Sequence, residues 1–172
     1  ARIFWEQFVQ PFALRDARVD LLHALAFAGP RAISIPWIVT VYDLSFIHYP
    51  QSFNTANRLY LTWAVRDALR RANHVIAISE STRRDLVATF GVAQGKVSVV
   101  YCGTDPSFSP ARDQNESPRG IDELRARRNV PEKMILYVGT IEPRKNIAHL
   151  LHAFARAKRD ARLPHRLVLI GA

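Results

Sequence analysis

Cysteine, acidic side chains and long apolar runs are all scarce in this sequence, and each shortage removes a class of protein. Cys102 is the single cysteine in 172 residues, which rules out an intrachain disulfide and any cysteine-rich metal site. One thiol also fits a reducing cytoplasm, the expected compartment. No apolar run approaches the roughly 18 residues of a membrane-spanning helix. The opening "ARIFWEQFVQ" carries Glu6 within its apolar stretch and lacks the organisation of a signal peptide. Without such a signal, the glycosylation sequon "NES" at 115–117 reads as chance. Nor does a G-x-G-x-x-G follow any strand-like run, which argues against a dinucleotide-dependent oxidoreductase.

Acid is outnumbered by base, 15 residues to 24, leaving a formal charge of +9. Such a surplus favours anionic partners: nucleic acid, acidic lipid or phosphorylated small molecules. Part of the skew of 20 arginines to 4 lysines is of the kind that coding bias produces. The hydrophobic fraction of 48% is enough for a packed core.

The order of elements predicts an α/β fold. "IFWEQFVQPFAL" (3–14) reads as a helix bent near Pro11, followed by a short apolar strand at 19–24. "PWIVTVYD" (36–43) is a β-branched strand that stops at an acidic turn. Leu61, Val65, Ala68, Leu69 and Ala72 recur at helical spacing within 57–72. "HVIAIS" (74–79) is a strand buried on both faces, and Ser79 is the expected N-cap of a helix that Gly91 ends. "KVSVVY" (96–101) is a further strand. Strands alternating with helices imply parallel sheets.

The pattern breaks at "GTDPSFSPARDQNESPRG" (103–120), which has three prolines and almost nothing to bury. The reading is therefore a first domain over 1–104, a linker over 105–120 and the opening part of a second domain over 121–172. In the second, "IDELRARRN" is a polar helix, "MILYVGT" (134–140) a buried strand, 147–160 a helix with Ile147, Leu150, Leu151 and Phe154 on one side, and "RLVLIGA" (166–172) a strand. Two sheets, each incomplete, mark the sequence as a segment of a longer protein.

"LYVGTIEPRKN" (136–146) carries the chemistry. Arg144 and Lys145 stand just ahead of a helix, where the dipole already repels cations. Gly139 ends the preceding strand and lets a phosphate approach the backbone. The helix, with Asn146 as its expected cap, offers free N–H groups to an anion. On residue types alone two readings stay open. A diphosphate sits there, or both cations reach into solvent with Arg144 paired to Glu142. Among the rest, His149 and His152 lack an acidic or cysteine partner for a metal. Trp5, Trp37 and Trp63 sit in apolar surroundings and read as core. Arg83 and Arg84 read as a solvated face, with contact to an anionic acceptor or lipid as the weaker reading.

"YVGTIEPRKNIAHLLHAFARAK" resembles the donor-binding stretch of family 4 glycosyltransferases, which have the two-Rossmann-domain GT-B architecture. "WEQFVQP", "TVYDLSFIHYPQSF" and "ANHVIAISESTRRDLVATFGVAQGKVSVVYCGTDPSF" resemble that family in order and spacing, so the likeness spans nearly the whole chain. It implies parts of two Rossmann-like domains, an acceptor side followed by a nucleotide-sugar side. It implies retaining transfer of a sugar from a nucleoside-diphosphate-sugar to a polysaccharide or lipid-linked acceptor, with no cofactor and no metal. It further implies the setting, bacterial cell-envelope polysaccharide synthesis in the cytoplasm, with peripheral contact at the inner face of the membrane. Carried onto this chain, Gly139, Thr140, Arg144 and Lys145 would bind the donor diphosphate. Tyr42 and Asp43 would position acceptor or sugar, while Ser79 and Glu142 would line the cleft.

Three positions depart from the family pattern. Thr140 stands where many members have arginine, and Tyr42 where many have a histidine before the aspartate. Cys102 replaces an asparagine of the turn before the linker. A phenol can hydrogen-bond a hydroxyl but is a poor base near neutral pH. For Asp43 a plain turn-capping role stays open beside the functional one, as does plain capping for Ser79. The family's glycine-rich loop and paired glutamates are expected outside this sequence, so the segment alone is not expected to turn over substrate. The competing reading is a basic, non-catalytic module that binds an anion such as nucleic acid. It lacks a glycine-rich basic strand with stacking aromatics, zinc spacing or a recognition helix, so no nucleic-acid partner is expected.

Overall fold

A computed structural model describes residues 2–107 and 119–171. The chain divides into two compact units, one up to Gly103 and one from Thr104 onward.

The first unit opens with helical turns at Arg2–Phe4 (α1) and Gln10–Asp16 (α2) that flank a π-helical stretch, Trp5–Val9. Sequence places the irregularity at Pro11, and the structure puts it just upstream. Proline lacks an N–H, and its ring crowds the carbonyl four residues back, so the widened turn relieves that crowding. Four strands follow: β1 (Leu22–Ala24), β2 (Trp37–Val41), β3 (His74–Ala77) and β4 (Val97–Val99). They pair in chain order, all parallel. Between β2 and β3 run a short helix α3 (Ser45–His48) and the long α4 (Thr55–Arg71), and α5 (Glu80–Phe90) joins β3 to β4.

Local signals set these boundaries. Asn54 Oδ1 accepts the Asn57 N–H at 2.7 Å and starts α4. Ser79 Oγ accepts the Thr82 N–H at 3.1 Å and starts α5. Gly91, at φ 66°, supplies the left-handed residue that stops α5. The core forms where the strands meet these helices. Val39, Val41, Val75 and Ala77 are wholly buried beneath Val65, Ala68 and Leu69 of α4 and Leu86 of α5. Each such valine or leucine side chain contributes roughly 1.5–3 kcal/mol by leaving water.

Two expectations need correction here. β3 is fully buried on one face only, since His74 and Ile76 on the other remain partly accessible. That second face is polar in places: His23 Nε2 shares a hydrogen bond with Thr40 Oγ1 and His74 Nε2 with Ser98 Oγ, each at 2.8 Å. Of the three tryptophans, Trp37 is core, but Trp5 and Trp63 are half exposed. Trp63 lies on the outer side of α4, opposite its buried Ala64–Ala68 stripe, with the Arg31 guanidinium 5.4 Å from its ring centre.

The second unit contains α6 (Arg119–Arg128), β5 (Met134–Val138), α7 (Ile147–Asp160) and β6 (Arg166–Ile170). β5 and β6 pair in parallel, with Val138 opposite Ile170. The strand expected to be buried is largely accessible, with Ile135, Leu136 and Val138 exposed, because the described residues of this unit offer a two-stranded sheet little cover. Leu151 is exposed for the same reason, while Ile147 of the same stripe is buried. The linker expected over 105–120 lies mostly outside the described residues. Where it begins, Ser107 donates its N–H to Asp105, which holds that carboxyl below the usual carboxylate range.

Gly29 is packed against the face of Trp37, and a Cβ built there would lie 2.5 Å from the ring. Gly29→Ala should therefore cost about 1–3 kcal/mol through overpacking, read as a lower denaturation midpoint at unchanged slope. An unshifted midpoint would show that the ring can yield.

Candidate functional site

In a parallel sheet every strand delivers its carboxyl end to the same edge, and helices begin there with their N–H groups free. In the first unit that edge is built from Tyr42, Asp43 and Ser79. β2 ends at Val41, so Tyr42 and Asp43 emerge directly from it. Asp43 Oδ1 accepts the Ser45 N–H at 2.8 Å, a turn that launches α3. Its second carboxylate oxygen has no protein partner among the described residues, so turn formation leaves one acceptor facing outward.

Thr82 ties this edge together. Its hydroxyl donates to the Tyr42 carbonyl at 2.8 Å, while its N–H is held by Ser79 Oγ. The two hydroxyls lie 3.0 Å apart. Ser79 and Tyr42 are thus joined through one residue that is only 5% exposed. Sequence reading passed over Thr82, although a hydroxyl three residues after an N-cap serine was the available signal. Phe27 closes the other side: its N–H donates to the Thr40 carbonyl at 3.0 Å and its ring lies 6.0 Å from that of Tyr42. The Tyr42 side chain itself is 39% exposed, open to a hydroxyl-bearing ligand.

The second unit presents Gly139, Thr140, Glu142, Arg144 and Lys145 on one loop between β5 and α7. The Gly139 N–H donates to the Ile170 carbonyl at 2.9 Å and extends the β5–β6 ladder by one bond. The neighbouring backbone is closer still, since a Cβ on Gly171 would come within 1.9 Å of the Gly139 carbonyl oxygen. Tyr137 donates its hydroxyl to the Thr140 carbonyl at 3.3 Å. Pro143–Lys145 then forms a 3₁₀ turn, closed by Lys145 N–H to Glu142 and Asn146 N–H to Pro143, both 3.0 Å.

Arg144 Nη2 lies 2.9 Å from Glu142 Oε1, so the ion pair left open by the sequence exists. Lys145 has no hydrogen-bond or ion-pair partner among the described residues. Asn146 does not cap α7. It sits in the left-handed region, φ 52° and ψ 41°, and its side chain makes no capping bond. A side-chain cap needs an extended residue at that position. The first-turn N–H groups of α7 therefore have no side-chain acceptor, and no acidic residue stands in that turn. The loop thus combines a free ammonium, a guanidinium held by one carboxylate, uncapped amides and a glycine-lined backbone. That set suits an anion with several oxygens. Among the described residues no three His, Cys, Asp or Glu side chains are grouped to hold a metal, and no helix is long and apolar enough to cross a membrane.

Comparison with known proteins gives a family. The model for Glycosyltransferase Family 4 matches residues 1–108. The chain is 24% identical over 162 residues to an O-antigen chain mannosyltransferase B of Escherichia coli, covering 94% of this chain and 41% of that one. It is 31% identical over 153 residues to a 2-deoxystreptamine glucosyltransferase of Streptomyces kanamyceticus, covering 84% and 38%. An O-antigen chain mannosyltransferase RfbU of Salmonella typhimurium is 24% identical over 132 residues, covering 77% and 31%. The chain thus spans about two fifths of the length of the first two relatives and less of the third.

Removing the Thr82 hydroxyl should loosen the first edge. Thr82→Val leaves a part-buried carbonyl without its donor and should cost about 1–3 kcal/mol, whereas Asp43→Asn keeps an oxygen for Ser45 and should be near neutral. Equilibrium unfolding of both variants checks the contrast; equal losses would contradict it.

Proposed function

The chain belongs to glycosyltransferase family 4, and from that premise we propose that it forms part of an enzyme moving a sugar from a nucleoside-diphosphate-sugar to a glycan or lipid-linked acceptor with retained anomeric configuration. The unit up to Gly103 would serve the acceptor and the unit from Thr104 the donor. One observation carries this reading: Gly139, Arg144 and the unpartnered Lys145 precede a helix whose first amides are uncapped. As the glycosidic bond breaks, negative charge grows on the departing diphosphate, and fixed donors aimed there lower the barrier.

Each residue has a defined part. Gly139 lets the diphosphate reach the backbone, and Lys145 meets it as a point charge. Arg144, pre-set by Glu142, brings a planar fork that can bind two oxygens at once. Thr140 offers a hydroxyl in place of a further cation. With this charge built in, the chemistry asks for no metal. Tyr42 and Asp43 would orient a sugar or acceptor hydroxyl, with Ser79 beside them through Thr82. The relatives' names favour a hexosyl donor and O-antigen-type polysaccharide synthesis, and the same reading includes a cytoplasmic setting with peripheral contact at the inner face of a bacterial membrane. As the segment spans about two fifths of the length of the first two relatives, it is not expected to turn over by itself.

The test is Lys145→Ala in the full-length transferase, with nucleoside diphosphate binding measured by calorimetry. Losing one charge-assisted contact should weaken binding about 10- to 100-fold, while unfolding stability stays unchanged because Lys145 is exposed and has no side-chain partner among the described residues. Unaltered affinity would remove Lys145 from the donor site.

A further inference from the structure

At the opposite end of the first unit from Tyr42, the last turns of α4 and α5 and the loop between α5 and β4 enclose a hollow of about 440 Å³. Arg66, Arg70 and Lys96 line it, and none of its lining residues is acidic. Structural duty accounts for some of this charge. Lys96 Nζ donates to the Leu69 carbonyl at 2.8 Å and the Arg70 carbonyl at 3.3 Å, capping α4. The Arg66 guanidinium sits 5.9 Å from the centre of the Phe90 ring. Two helix C-termini converge on the hollow, and each contributes about −0.5 of a charge. Against three full cations that leaves an excess of about +2. The one acid of α4 does not reduce it, since Asp67 faces Arg31 and Arg71, each at 3.4 Å.

The outer side of α4 adds a second feature. Leu59, Trp63, Arg66 and Arg70 follow at helical spacings and form one stripe, apolar at its start and basic at its end. Leu59 is 61% and Trp63 49% exposed, and Arg31 lies over the Trp63 ring. A soluble anion in the hollow would leave the apolar half of this stripe in water. A bilayer surface takes both halves, because tryptophan and arginine settle at the headgroup layer with their apolar parts inward.

We propose that this face of the first unit docks on an anionic bilayer, with a lipid phosphate in the Arg66–Arg70–Lys96 hollow and Leu59 and Trp63 in the headgroup layer. The inference gives a location to the membrane contact included in the reading above and uses no step of sugar transfer. A transferase whose donor site proved to be elsewhere would leave it standing.

The experiment is co-sedimentation of the full chain with phosphatidylcholine vesicles, with and without phosphatidylglycerol. Binding is expected only to the anionic vesicles, with a blue shift of tryptophan emission that Trp63→Phe removes. Arg66→Gln/Arg70→Gln should weaken it about 30-fold, from about 1 kcal/mol per arginine at a charged surface. Arg15→Gln/Arg18→Gln removes the same charge from exposed positions elsewhere in the unit and should lose far less. Glutamine is nearly as good a helix former as arginine, so α4 should persist, as circular dichroism would show. Absence of vesicle binding, equal losses for the two pairs, or saturable inorganic phosphate binding without vesicle binding would each overturn the proposal.

Discussion

Burial of β2 and β3 between their neighbours is the condition on which the first unit rests. Parallel strands cannot be joined by a tight turn, so each must be followed by a crossover that returns the chain to the same starting edge. Because the four strands pair in chain order and such crossovers are right-handed, α4 and α5 fall on one face. The wholly buried Val39, Val41, Val75 and Ala77 are the contacts that hold those helices there. One geometric rule thus covers the core and also gathers every strand's carboxyl end, and every following helix start, along a single rim. Tyr42, Asp43 and Ser79 are neighbours for that reason, though Ser79 is 37 residues from Tyr42 in sequence.

The loop of the second unit follows a different logic, in which local charge opposes local structure. A helix start prefers an acid, and this one has a lysine with no partner and an arginine answered by a single glutamate. Neither cation helps α7 begin, and the left-handed Asn146 leaves its first amides uncapped as well. Arrangements that stabilise nothing within the protein are where a ligand's contribution is to be sought. The hollow at the far end of the first unit differs, because two helix C-termini favour cations there and Lys96 caps α4.

Much of this architecture was legible in the sequence, because periodicity and caps act locally. The helix at 147–160 is found at those residues, and Ser79 and Gly91 set helix ends by a bond or a dihedral angle that involves only near neighbours, while the cap at Asn54 was not read. What escaped was set by distant contacts. Whether Trp63 lies inside or outside depends on which side of α4 meets the sheet, and hydrophobicity alone does not separate it from Trp37. The accessibility of β5 depends on what covers it, which an apolar run does not encode. Thr82 was missed because its acceptor, the Tyr42 carbonyl, is brought near only by the fold. Asn146 has the residue type of a cap and the backbone of a turn. For the loop residues, sequence singled out the two cations while geometry decided between free and paired: Arg144 is paired and Lys145 is not.

The contact of Gly171 with the Gly139 carbonyl has an evolutionary consequence. With 1.9 Å between that oxygen and any added Cβ, a side chain at 171 would push the strand end bearing Gly139. Position 171 is therefore held to glycine by the backbone of residue 139, whatever side chain stands there. Residue 171, with no side chain to offer any ligand, belongs to the inheritance of the loop after β5 all the same. A survey of descendants should find glycine kept at 171 wherever the β5–β6 pairing is kept.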